Sequence, residues 1–226
     1  MRKLLSILVV VAMASLLAFA SESQSDAAQR LDKAASVIKD MTSGTAGIPD
    51  SVLNGANCIA VVPGLIKGAF IVGGRHGDGV ATCRTATGWS APAFFKLSGA
   101  SIGAQIGGEK TDLVMMIMND TGMNKLLSGH FKVGADVSAA AGPVGRQASA
   151  AGGWKAAILT YSRSKGAFAG ASLKGAEIQV DNDAMQAVYG KKVSAEEALK
   201  GQVQPPPQAM AFLHAVQRAR TAASNQ

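Results

Sequence analysis

KGAFIVGGRHGDGVATCRTATGWSAPAFFKLSGASIGAQIGGEKTDLVMMIMN, residues Lys67 to Asn119, is the stretch that decides the fold. Its short apolar runs, Gly68 to Val72, Val80 to Cys83, Pro92 to Leu97, Ile102 to Ile106 and Leu113 to Met118, are each closed by glycine-rich or polar residues. That spacing predicts successive β-strands in an antiparallel meander. Gly99, Gly103, Gly107 and Gly108 fall inside the runs, where glycine weakens a strand unless the sheet bends or a backbone passes closely. The expected fold class is α+β: a curved antiparallel β-sheet or small barrel, flanked by N- and C-terminal helices.

Before this stretch, Ala27, Leu31, Ala34, Ala35, Ile38 and Met41 recur at helical spacing within Ser23 to Thr42, with Ser25 as N-cap and Gly44 as terminator. The helix is amphipathic and carries Arg30, Lys33 and Lys39. A short helix over Ile48 to Ala56 enters through Pro49. A strand from Cys58 to Val62 stops at Pro63-Gly64, and Leu65-Ile66-Lys67 is read as a loop. Gly73 to Gly79 is read as a hairpin connection, in which Arg75 is a candidate for an anion; the Lys-Ser/Thr of a phosphate loop is missing. Beyond Met118, Asn119 to Thr121 cap a short helix ending at Leu127, and β-character returns over Phe131 to Val137, Ala156 to Tyr161 and Ala167 to Ile178. Helices follow over Asp183 to Tyr189, over Ser194 to Leu199 with a Ser194/Glu197 capping box, and from Gln208 to about Ala222 after the Pro205 to Pro207 elbow. The last helix is expected to bury Met210, Leu213 and Val216 or Phe212, and to expose Arg218 and Arg220.

At 226 residues the chain suits one substantial domain, and with aromatics at 5% its core is aliphatic. Arg2 and Lys3, an apolar run from Leu4 to Phe19, and Ala18-Phe19-Ala20 before Ser21 read as a cleaved secretory leader over residues 1–20. Residues 21–226 are then a single domain, periplasmic or secreted, with a basic surface consistent with the formal charge of +7. Cys58 and Cys83 pair as a disulfide in an oxidising compartment, or remain two buried small hydrophobes. His76, His130 and His214 lack ligand spacing, no Gly-x-Ser-x-Gly elbow occurs, and Asp112, Asp120 and Asp136 suit caps and turns. The pattern therefore argues against an enzyme, a metal, a cofactor or a nucleic-acid partner.

Several motifs occur in order: Lys67-Gly-Ala-Phe-Ile-Val-Gly-Gly-Arg75, Gly88-Trp-Ser-Ala-Pro-Ala-Phe94, Gln105-Ile-Gly-Gly108, Thr111-Asp-Leu-Val114, Gly134-Ala-Asp-Val-Ser-Ala-Ala-Ala-Gly-Pro-Val144, Tyr161-Ser-Arg-Ser-Lys-Gly166 and Phe168-Ala-Gly-Ala-Ser-Leu-Lys-Gly175. Together, over roughly Ala27 to Tyr189, they resemble the SYLF domain family. The resemblance implies a non-catalytic module for anionic phospholipids, with phosphoinositide-like or phosphatidic-acid-like head groups, peripherally associated with a membrane. Fungal members also associate with actin; a leader and the lack of an attached SH3 or FYVE module argue against actin here. An N-terminal amphipathic helix is implicated in the family's membrane contact, which places Arg30, Lys33 and Lys39 in that role, by charge docking and shallow insertion of the apolar face. Lys67 and Arg75 form a second head-group candidate, although Lys67 also suits an edge strand guarded against pairing. The alternative is a structural or adhesion-type envelope protein acting through a protein partner, presented by the Ala- and Gly-rich Ser138 to Gly153 segment or the Pro205 elbow.

Overall fold

A computed structural model describes residues 24–43, 47–69, 73–101, 107–144, 155–164, 167–170 and 172–224. The leader reading at 1–20, the terminator Gly44, and the strand readings at Phe70 to Val72 and Ile102 to Ile106 lie outside the described residues. Helix α1 spans residues 24–42 and α2 Asp50–Gly55. Strands follow as β1 (Cys58–Ala69), β2 (Gly73–Thr85), β3 (Gly88–Trp89), β4 (Ala93–Ser101) and β5 (Gly107–Ile117). After α3 (Asp120–Leu127) come β6 (His130–Lys132), β7 (Ala139–Ala141), β8 (Ile158–Ser164), β9 (Ala167–Gly170) and β10 (Ala176–Val180). Helices α4 (Asn182–Tyr189), α5 (Ala195–Leu199) and α6 (Met210–Ser224) close the fold.

The strands form one strongly curled, half-barrel mixed sheet in the order β6-β10-β4-β2-β1-β5-β8-β7, with β3 on β2 and β9 on β8. The architecture is the expected α+β class, but the strand order is not a simple meander. β5 crosses over to pair with β1 instead of its chain neighbour β4, and β7 runs parallel to β8. β1 thus becomes central, and Ile59 to Val62 are buried to the last few per cent.

Two readings change here, for one reason. Pro63-Gly64 does not end the first strand; both registers of β1 shift across it, so it forms a bulge and the strand runs on through Leu65, Ile66 and Lys67. Proline's missing N–H is harmless at a bulge. Gly64 takes the positive φ of +62°, and its amide donates to Asp112 Oδ1 at 2.9 Å. Likewise Gly73 to Gly79 is not a connection but half of β2. Gly77 and Gly79 sit where the sheet packs closely: a Cβ at Gly77 would lie 2.6 Å from Val62 Cγ1, and one at Gly79 would lie 2.4 Å from Phe95 Cζ and 2.8 Å from the Val61 carbonyl oxygen. Gly79→Ala is therefore expected to cost about 1 to 3 kcal/mol by overpacking, a drop in Tm of about 3 to 10 °C in a melt followed by circular dichroism. An unchanged Tm would mean that the curl at this strand relaxes freely.

The Phe131 to Val137 reading shortens to β6 plus a Val133–Val137 bridge around a turn. In α6, Phe212, Leu213 and Val216 are buried as expected, but Met210 is exposed. Cys58 and Cys83 are direct cross-strand partners in the β1–β2 ladder, both are buried, and they are joined as a disulfide.

Candidate functional site

α1 uses its whole apolar stripe on the core: Ala27, Leu31, Ala34, Val37, Ile38 and Met41 are all buried. This leaves little of the helix to insert elsewhere without undocking it. Its solvent side carries Lys33 and Lys39 but also Asp26, Asp32 and Asp40, so the helix is not a basic face.

Arg30 is turned inward. Its side chain is only 14% exposed, with Nη1 donating at 3.1 Å to Oδ2 of Asp181, which is buried. The guanidinium also stands 5.6 Å from the Phe94 ring centroid, within cation–π range. Lys96 Nζ reaches the other oxygen of Asp181 at 3.2 Å, and that oxygen accepts the Ala184 amide to cap α4. Burial by itself pushes the Asp181 carboxyl up, but the Ala184 N–H and the Arg30 and Lys96 cations outweigh it and hold it below the usual aspartate range. The residue is thus a charge node tying α1, β4 and α4 together. At the other end of α1, Asp40 pairs with Arg163 of β8.

Between the first half of α1 and the β1–β2 ribbon lies an open groove of about 320 Å³. Arg30 and Lys33 line one wall with Asp26, and Ile66, His76 and Asp78 line the other. The bulge aims this end of β1 at the groove: Ile66 stands opposite His76 on β2 and Lys110 on β5, so the three share one face of the sheet. Ile66 is 48% exposed, a large apolar side chain set between two exposed polar neighbours. Lys33 Nζ is held by Gln29 Oε1 at 2.6 Å across one helical turn.

Of the five expected head-group residues, the groove brings together Arg30 and Lys33. Lys39 lies further along α1 and does not line it. Lys67 and Arg75 are each one residue out of phase with Ile66 and His76, so they occupy the opposite face of the ribbon, paired with each other. Arg75 donates to the carbonyls of Ala100 at 3.1 Å, Ser172 at 3.3 Å and Lys174 at 3.4 Å, clamping the loop before β10 against the sheet. Burial lowers its pKa. Sequence reading missed Ile66, His76, Asp78, Lys110 and Asp26. The signal for the first of these was the Ile66/Lys67 alternation, which the loop reading discarded. Among the described residues no three His, Cys, Asp or Glu side chains gather at a metal site, and no helix is long and apolar enough to cross a membrane.

A family model described as "Las17-binding protein actin regulator", Ysc84, matches residues 98–219, more than half of the chain. Among related proteins, "LAS seventeen-binding protein 3" of Saccharomyces cerevisiae is 37% identical over 166 residues, covering 71% of this chain and 36% of the yeast protein. "Protein YSC84" of the same yeast is 36% identical over 168 residues, 72% of this chain and 36% of that protein. Human "SH3 domain-containing YSC84-like protein 1" is 33% identical over 187 residues, 78% of this chain and 54% of the human one. The chain therefore spans about a third to a half of the length of these relatives. No solved structure matches it. The expectation that sets actin aside is overturned, because the matching family is described as an actin regulator and the yeast relative is named for binding Las17. That expectation rests on a leader and on the lack of an attached module, and neither bears on the surface of the shared domain.

Proposed function

Because the chain belongs to the Ysc84 (SYLF) family, we propose that it is a non-catalytic binding module that docks on anionic phospholipid at the rim of the groove between α1 and the sheet. The observation that carries this reading is Ile66, an exposed apolar side chain flanked by Lys110 and His76 and faced across the groove by Lys33. Lysines near an anionic surface gain about 1 kcal/mol each, and a buried isoleucine about 1.5 to 3 kcal/mol. The sum suits a weak, reversible contact. α1 acts here as a wall fixed to the core rather than as the inserted element, and Arg30 acts by holding that wall in place. Lys39, Lys67 and Arg75 remain outside the proposed contact.

Sedimentation with vesicles tests the charge half of the proposal. Lys33→Gln with Lys110→Gln is expected to weaken binding to anionic vesicles about thirtyfold, two lysines at about 1 kcal/mol each. Binding of the parent protein is expected to fall with salt, since exposed charges are screened within about 8 Å at physiological ionic strength. Unchanged binding by the folded double variant would remove this face from the reading. Export through the leader at residues 1–20 belongs to the same proposal, and a mature N-terminus at Ser21 in the periplasmic or secreted fraction supports it.

The relatives' names favour a second reading, a protein partner in actin regulation. Direct binding to purified Las17 or to actin filaments that persists without lipid would favour it over the first.

A further inference from the structure

Resting on that docking role, we propose that the groove selects head groups that carry a primary ammonium beside the phosphate. The carboxylates and the Arg and Lys cations on its walls balance: Arg30 and Lys33 are matched by Asp26 and Asp78. Arg30 is already committed to the buried Asp181, so the groove itself offers Lys33 for a phosphate and presents two carboxylates beside it. Asp78 keeps accepting capacity. Its nearest basic neighbours, Arg30 Nη2 at 3.9 Å and His76 Nε2 at 4.0 Å, stand beyond hydrogen-bond reach, and its side chain is 44% exposed. A head group with several phosphates would bring like charge against Asp26 and Asp78. A phosphate with a neighbouring ammonium satisfies both signs at once, phosphate on Lys33 and ammonium on Asp78 and Asp26. The volume of about 320 Å³ lies at the small end of ligand sites, which suits one head group and not acyl chains.

The test compares two lipids of equal net charge, of which only one carries an ammonium, offset there by a carboxylate. Phosphatidylcholine vesicles carry equal molar fractions of phosphatidylserine or phosphatidylglycerol. The serine lipid is expected to bind about fivefold more tightly, the ratio one exposed ion pair supports. Asp78→Asn is expected to remove that preference, and Asp26→Asn, on the exposed side of α1, to reduce it. Circular dichroism confirms that each variant is folded. Equal binding of the two lipids by the parent protein, or a preference that survives both variants, overturns the selectivity while leaving the docking reading in place. Binding to neither vesicle overturns the docking reading. In that case calorimetry with free phosphoethanolamine decides the rest: Asp78-dependent binding assigns the groove to a soluble amine phosphate, and no binding overturns the selectivity as well.

Discussion

Asp181→Asn is expected to lower stability by roughly 3 kcal/mol, the scale of removing one partner from a buried ion pair. In a chain of this size that is a drop in Tm of about 6 to 12 °C. Asparagine keeps the cap on α4, so the loss reports Arg30, left 14% exposed without its carboxylate. Asp181→Ala also loses the cap and is expected to cost about 1 kcal/mol more. The pH dependence has a definite sign. The folded carboxyl titrates below the usual aspartate value, so its contribution is present above about pH 4 and is lost as the pH falls through the lowered value. Denaturant titrations between pH 6 and pH 3 should therefore show a loss that is smaller in Asp181→Asn than in the parent. Parallel pH profiles for the two proteins would mean that Arg30 and Lys96 add nothing to the fold.

Removing the Cys58–Cys83 bridge is the second large effect. The bridge joins the two central strands across a separation of 25 residues, and closing a loop of that length contributes about 3 kcal/mol through the unfolded state. Both positions are buried to within about 1%, so Cys58→Ala with Cys83→Ala removes the cross-link with little change in side-chain volume. A Tm lower by about 6 to 12 °C is expected. A thiol assay on the denatured, unreduced parent should count none. Two free thiols, with a double variant as stable as the parent, would show that the strands hold together without the bridge.

What the sequence reveals and conceals here follows from range. Local signals read well: the helical stripe from Ala27 to Met41 gives α1, Asn119 accepts the Gly122 amide as the cap of α3, and the Ser194/Glu197 box opens α5. The run of apolar segments gives the curved sheet, though neither its strand order nor the parallel β7–β8 pair. Pro63-Gly64 and Gly73 to Gly79 mislead because the same residues mark a turn, a bulge or a tightly curled strand. Only the approach of Phe95 and Val61 to Gly79 distinguishes the last. The site fails in the same way. Arg30 looks like one cation among three on a helix, and its partner, Asp181, lies 151 residues away in the chain. Lys67 and Arg75 are prominent in sequence, yet the period-two alternation of β1 and β2 gives the groove to Ile66 and His76 instead.

The most direct test of the account is vesicle binding by Ile66→Asp, a change at an exposed position that leaves the Arg30–Asp181 node intact. The account predicts that this variant folds with the parent's Tm and sediments with anionic vesicles at least about tenfold more weakly, having lost an inserted apolar side chain and gained a repelled charge. Binding equal to the parent's would contradict it, and would place the lipid contact away from the groove.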